Sequence, residues 1–502
     1  MSRTALLIGT ALVGLLLSTA QAVARDVDVE RFTAIVEEGK ELWQVPGLAV
    51  ALIEDGNVVF QRGFGMTADD GSAVDEHTLF SNASTTKAMV SAGVLMLVDE
   101  GKLTLDDPVI DYLPELHFHR DAQPQQVTVR DLLAHRTGLP STDFWTFRQL
   151  MPLEEQVRKM RLVAPAAAPR TRLIYQNTMY ELAGMIIQRL TGQRWDQFLR
   201  QRLWSPLGMD ETYGTRGQIP EGKALVTPHD IVDGKVQAIP YDLPPNLEDA
   251  AGSAWSSVHD MSIWAQFLLN GGIASNGERI LSEESIAAMF EPAQLVSADD
   301  YYPSAELTKP NWRSYALGWY QQDFQGRKID YHTGTLDGLV AIIGLDRAEQ
   351  RAVIVLQNMG GSELRHALLW EAMDKREVTA RTDWLQGVFD IYAARDAKRA
   401  ERWAGLEKSR LKRTRTSVDM DDYLGTYSNA VLGEVRLMRR GRDLILKTGM
   451  YEYDVSHWHL DTFLVNYVAW SSGTFADFGI DPHGKVATME VFGQTFEKLA
   501  EQ

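Results

Sequence analysis

The sequence predicts a mixed α/β domain, with an antiparallel sheet flanked by helices and a mainly helical insertion, followed by a small all-β barrel. Three observations carry this. Alternating or continuous apolar strand runs occur near residues 47–65 and again near 339–359, with helical patterns between them. Residues 81–101, "SNASTTKAMVSAGVLMLVDEG", read as a helix that is almost wholly apolar from Ala88 to Val98. Residues 420–500 are short strands separated by turns.

The chain has 502 residues, enough for two or three domains, with 45% apolar and 24% charged residues. Its net charge of −18 argues against nucleic acid or an anionic membrane as the main partner. The first residues read as a secretory signal peptide spanning 1–24. Arg3 is the positive start, Ala5–Leu17 the apolar stretch, and cleavage is expected after Ala22 or Ala24. That apolar run is short for a membrane anchor, and no later run is long enough to span a bilayer. The expected location is periplasmic or secreted. There is no cysteine, so disulfides and lipoprotein attachment are excluded and stability must come from the core.

Along the chain, "GLAVALIEDGNVVFQRGFG" (47–65) is a hairpin turning at Asp55-Gly56. The stretches at 128–138, 179–192 and 261–272 have helical apolar spacing and end near glycine. "LVAIIGLDRAEQRAVIVLQNM" (339–359) supplies a second strand pair. These elements define an expected first domain at 25–385. Residues 386–418 read as a basic helical linker, whose interleaved acids and alanines suit a solvated helix, and 419–502 as the β domain.

The buried helix opens with Ser84 and Lys87, stacked on one face by their spacing of three. A serine there lies at the positive end of a helix dipole, which favours an oxyanion. A desolvated lysine one turn on has a lowered pKa and can accept the serine proton. Ser-x-x-Lys alone is weak evidence, because a chain of this length holds about one or two by chance. Ser409 and Lys412 form a second. That second pair even has company in Tyr427-Ser428-Asn429 and Lys447-Thr448-Gly449. Those elements, however, are crowded into a polar linker and adjacent short strands, where no lysine is desolvated. The set beginning at Ser84 has Tyr175 and Asn177, then His332, Thr333 and Gly334, spread far enough apart to admit a helical subdomain over the sheet.

With "IYQNTMYEL" and "DYHTGTLDG" added to Ser84-x-x-Lys87, the chain resembles the class C β-lactamase-like and penicillin-binding-protein-like serine hydrolases over residues 30–360. Its variant is the His-x-Gly one of D-aminopeptidases and esterases. "TVRDLLAHRTGLPS", "AGSAWSSVHDMSIWAQFLLNGG" and "YALGW" extend the match, and the C-terminal strands with "HWHLDTF" resemble the lipocalin-like domain that often follows such a hydrolase. The resemblance implies that Ser84 is acylated while Lys87 and Tyr175 share the proton transfers. Tyr175 is expected to have a lowered pKa and to serve as a base. Asn177 positions Lys87 and the substrate amide, and Thr333 and Gly334 lie along the substrate. The backbone N–H groups of Ser84 and Thr335 form the oxyanion hole. No metal or organic cofactor is implied.

Two histidine pairs, His117/His119 and His457/His459, lack a third ligand at metal-site spacing. The expected partner is a small molecule or short peptide, most naturally an amide or peptide carrying D-amino acids. Esters, β-lactams, and a non-catalytic peptide- or peptidoglycan-binding role are the alternatives, and no oligomeric state is assigned. His332 stands where β-lactamases carry lysine. With an ordinary pKa near about 6.5 it lacks a fixed charge for a substrate carboxylate, which favours esters, amides and amino-terminal peptides over penicillins.

Overall fold

The computed structural model describes residues 28–500 apart from 69–70, 123–125, 147–150, 233, 242, 248, 377–379, 450 and 467–472. The expected signal peptide and its cleavage sites lie outside the described residues, as does the end of the 141–150 loop.

A helix α1 (Val29–Leu42) leads into β1 (Gly47–Glu54) and β2 (Asn57–Gly65). The turn between the strands is Asp55-Gly56 with φ of 48° and 75°, the two left-handed positions of a type I′ hairpin. The chain then forms the buried helix α2 (Thr86–Asp99), α3 (Thr178–Thr191) and α4 (Val258–Leu269). It returns through β3 (Gln294–Leu295), β4 (Arg313–Tyr315), β5 (Tyr320–Phe324), β6 (Arg327–Leu336), β7 (Leu339–Asp346) and β8 (Arg351–Gln357). The sheet order is β2-β1-β8-β7-β6-β5-β4-β3, every pair antiparallel. Strands from the two ends of the domain therefore meet at β1–β8, as the sequence predicts. The sheet reaches four strands beyond those legible as apolar runs.

Its central strands are covered on both faces, which is why they read as continuous apolar runs. Alternate residues diverge: Ala49, Ala51 and Ile53 join the core shared with α2, α3 and α4. Leu48, Val50 and Leu52 pack instead with α1 and a following helix α5 (Leu364–Met373). The helical stretch expected at 128–138 is shorter than its pattern. Residues Val129–Leu133 form one turn, with a Thr128–Asp131 capping box, and the backbone breaks at His135, φ 51°.

The basic segment is helical, as α6 (Trp384–Ser409). Its first residues, Trp384, Leu385 and Val388, are buried against the hydrolase, and Phe389 and Tyr392 pack on Trp43. Trp403 packs on Trp458 and Phe475 of the β domain, and most of the other residues are exposed. Beyond it, eight strands from Gly425–Asn429 to Gln494–Lys498 close into a barrel. The barrel seats on the hydrolase: Trp145 Nε1 donates to Val431 O at 2.9 Å, and the Phe144 ring lies 5.6 Å from that of Phe492.

Candidate active site

Ser84 sits in a 3₁₀ turn, Ala83–Thr85, that feeds α2. Ala83 takes φ 44°, a left-handed conformation unusual for a residue with a Cβ, which lifts Ser84 out of the core while its neighbours stay buried. Every residue from Thr86 to Leu97 is buried, Lys87 included.

Lys87 Nζ makes three contacts: Ser84 Oγ at 3.0 Å, Asn177 Oδ1 at 2.6 Å and Ala251 O at 2.7 Å. Burial pushes its pKa down to about 8, against the opposing pull of Asp249, Asp143 and Glu181. A neutral amine has two hydrogens and one lone pair. Asn177 Oδ1 and Ala251 O can only accept, so they claim both hydrogens and leave the lone pair for the Ser84 hydroxyl. The arrangement can take a proton from Ser84.

Asn177 is held in turn, its N–H donating to Asp143 Oδ1 at 2.8 Å. Glu181, one helical turn on from Asn177, and Asp249 form a buried acid pair near Lys87. Desolvation raises both carboxyls, Glu181 the more strongly, so Glu181 holds the proton and Asp249 the charge.

Tyr175 departs from expectation. Its hydroxyl shares a hydrogen bond with Ser84, but burial of the phenol pushes its pKa well above the ordinary value, not below. Lys87 Nζ lies over its ring, 5.0 Å from the centroid, yet the loss of water around the phenol outweighs that neighbour. Around it pack the rings of His135, Tyr315, Tyr320 and His332, an aromatic wall that desolvates the phenol. The site therefore offers one base, Lys87, and one phenol that keeps its proton.

His332 lies on β6 and is buried, and burial pulls its pKa down to about 3. Its Nδ1 is 2.6 Å from the Thr333 carbonyl, which only accepts, so Nδ1 carries the proton; Nε2 then accepts from the Tyr315 hydroxyl at 3.0 Å. Both nitrogens are engaged within the protein. What His332 presents to the cleft is an uncharged ring. Thr333 Oγ1 is 2.7 Å from the Tyr302 hydroxyl.

β6 pairs with β5 only as far as Tyr331, so residues 332–336 keep one open edge, facing the Ser84 turn. Gly334 permits the approach: a Cβ there would lie 2.2 Å from Asn82 O. Arg365 fastens this edge from behind. Its Nη1 donates to Gly334 O at 2.5 Å and Thr335 Oγ1 at 3.0 Å, and its guanidinium is paired with Glu363. Drawing charge toward Gly334 O polarises the Gly334–Thr335 peptide and strengthens the Thr335 N–H as a donor.

All eight residues singled out from sequence meet here. Ser84, Tyr175, Asn177, His332, Thr333 and Thr335 line one cleft of about 290 Å³, with Lys87 beneath Ser84 and Gly334 in the strand behind. Asp143, Glu181, Asp249 and Arg365 were missed. Only Glu181 carried a signal, its i+4 position after Asn177. The rival set does not assemble into a site. Ser409 is exposed and bonds its own helix at Leu406 O, while buried Tyr427 donates to Tyr423 O inside the barrel wall.

A serine and a desolvated lysine on a helix start, beside an open strand edge, define a serine hydrolase of the β-lactamase fold. The family model described as Beta-lactamase matches residues 32–376, and the chain belongs to that family. A model described as a domain of unknown function matches 409–501. An unguisins hydrolase of Aspergillus violaceofuscus is 30% identical over 402 residues, 75% of this chain and 69% of the relative. Two solved structures share the fold. The octameric penicillin-binding protein homologue from Pyrococcus abyssi has a TM-score of 0.62 at 21% identity, covering 94% of this chain and all of the other. The D-amino acid amidase from Ochrobactrum anthropi SV3 has a TM-score of 0.55 at 23% identity, over 74% of this chain and 99% of its own.

Proposed function

We propose that the protein is an exported amidase or peptidase that works through a Ser84 acyl-enzyme on small peptides or amides, including those built from D-amino acids. The observation that carries the mechanism is the three-way coordination of Lys87 Nζ, which leaves a lone pair for Ser84. Ser84 Oγ attacks the carbonyl carbon and its proton passes to Lys87. The oxyanion that forms is held by the N–H groups of Ser84 and Thr335, the latter on the edge that Arg365 fastens. As the C–N bond breaks, Tyr175 gives its proton to the departing nitrogen and recovers one from the Lys87 ammonium. Water, losing a proton to the same lysine, attacks the ester; the acyl C–O bond breaks, the acid leaves, and the lysine returns that proton to Ser84 Oγ.

The substrate class rests on three supports. The cleft offers His332 as an uncharged ring, so it lacks lysine's charge at that position for a β-lactam carboxylate. Two structural neighbours carry the names D-stereospecific amidohydrolase and D-amino acid amidase. Asp249 lies in the same cleft and supplies a negative charge for a substrate ammonium. Export follows from the leader read in residues 1–24 and predicts a mature chain starting at Val23 or Arg25.

The test is a panel of D- and L-aminoacyl p-nitroanilides, p-nitrophenyl esters and nitrocefin, with intact-mass detection of the acyl-enzyme. Faster turnover of an aminoacyl anilide than of nitrocefin, with acyl mass on the Ser84 peptide, is expected. Nitrocefin as the best substrate overturns the substrate class; acylation elsewhere overturns the mechanism.

A further inference from the structure

We infer that His77, Glu211 and His259 form a binding site for one first-row divalent cation of the zinc class, outside the active-site cleft. Each offers one ligand atom, and these atoms all lie within 4.8 Å of one another. His77 belongs to the segment that leads into the Ser84 turn, Glu211 to a turn after residue 209, and His259 to the first turn of α4. Two imidazoles with one carboxylate form a donor set suited to zinc, and water completes the sphere.

The positions are built rather than casual. The His259 backbone N–H donates to Glu76 O at 3.1 Å, tying the segment of His77 to α4. Asp260, buried, accepts from the Glu211 N–H at 2.7 Å and from Thr212 Oγ1 at 2.9 Å. Its other oxygen is 3.2 Å from His259 Nδ1, which turns Nε2 of that ring outward. A carboxylate behind a histidine is the usual support for a metal-bound imidazole, orienting the ring and raising its basicity. Glu211 Oε2 is 2.9 Å from His77 Nδ1, while Lys223 Nζ holds Oε1 at 3.1 Å, so Glu211 is set to bind through one oxygen. The two imidazole rings are 5.2 Å apart between centroids, close enough for modest side-chain rotations to bring both onto one ion.

An ion here would join the approach to Ser84 to α4. Phe80 and Ser81, which follow His77, already pair with Ser256 and Trp255, which precede His259. The cation adds a second tie across the same junction, so its expected effect is on stability rather than chemistry.

The test is zinc titration of the untagged full-length protein by calorimetry, with thermal melting in zinc and in chelator, and cobalt absorption as a reporter of coordination. One equivalent is expected, with a higher Tm in zinc. His77→Ala, His77→Gln and His259→Ala, all at half-exposed or exposed rings, should each weaken binding about tenfold or more and abolish the zinc-dependent rise in Tm. The double variant His457→Ala/His459→Ala should bind zinc as the wild type does. Absence of binding by the wild type up to about 1 mM zinc, far above the range of built zinc sites, overturns the site. So does one equivalent retained by His77→Ala/His259→Ala, or lost by the barrel variant.

Discussion

If Lys87 is the base, the rate of Ser84 acylation must follow the neutral fraction of that one amine. Its pKa of about 8 leaves roughly a tenth of the lysine neutral at pH 7 and about nine-tenths at pH 9. Labelling by a fluorophosphonate probe should therefore rise about ninefold between those values and then level off. Asp249 is the foremost neighbour holding the ammonium form in place. Asp249→Asn removes that charge while its side-chain carbonyl can still accept the Ala251 N–H, a bond of 2.6 Å in the wild type. The inflection should fall toward about 7, because a neighbouring charge moves a pKa by one or more. At pH 7 about half the lysine is then neutral, so the variant should label about fivefold faster than the wild type. At pH 9.5 the two should be nearly equal. A small probe is the right assay, since Asp249 also lines the cleft and a larger substrate would report binding as well. Stopped-time labelling across pH 6–10, read by gel fluorescence, measures both inflections. A wild-type inflection near that of free lysine refutes the reasoning. So does an Asp249→Asn inflection that moves upward, or labelling that falls above pH 8.

Four further expectations use the same probe. Ser84→Ala should not label while keeping the wild-type circular dichroism spectrum, because the hydroxyl faces the cleft; wild-type labelling would place the nucleophile elsewhere. Gly334→Ala should slow labelling by about a hundredfold, the scale of losing one oxyanion donor, because a Cβ 2.2 Å from Asn82 O pushes β6 off the Ser84 turn. In contrast, Ser409→Ala and Lys447→Ala should stay within about twofold of wild type, since neither side chain is buried or near the cleft. Truncation after Arg415 uncovers Phe144 and Trp145, beside the Asp143 that holds Asn177. It should slow labelling by about tenfold with the hydrolase still folded, misplacement of a catalytic group being costly. Full-rate labelling would show that the barrel leaves Asn177 unaffected.

Much of the site was legible because local spacing carries local geometry. Asp55-Gly56 can take the two left-handed positions of a tight hairpin, and Ser84 and Lys87 share a helix face at a separation of three. The apolar runs of β1, β7 and β8 announced strands buried on both faces, and the unbroken apolarity of α2 announced a helix surrounded by protein. β3, β4 and β5 went unread because they are short and mix polar with aromatic residues, some of which bond across the sheet. Ser314 Oγ donates to Gln321 Oε1, and Gln321 in turn to Asp330. Tertiary structure alone decided the electrostatics, since desolvation depends on neighbours distant in sequence. Tyr175 keeps its proton because rings from residues 135, 315, 320 and 332 exclude water from it. The tautomer of His332 is set by Tyr315, the charge balance of Lys87 by Asp249, and the open edge of β6 by Arg365. It also chose between two sets of the same residue types: Lys87 is enclosed by the fold and Lys412 is left in water, and only an enclosed amine is discharged enough to act as a base.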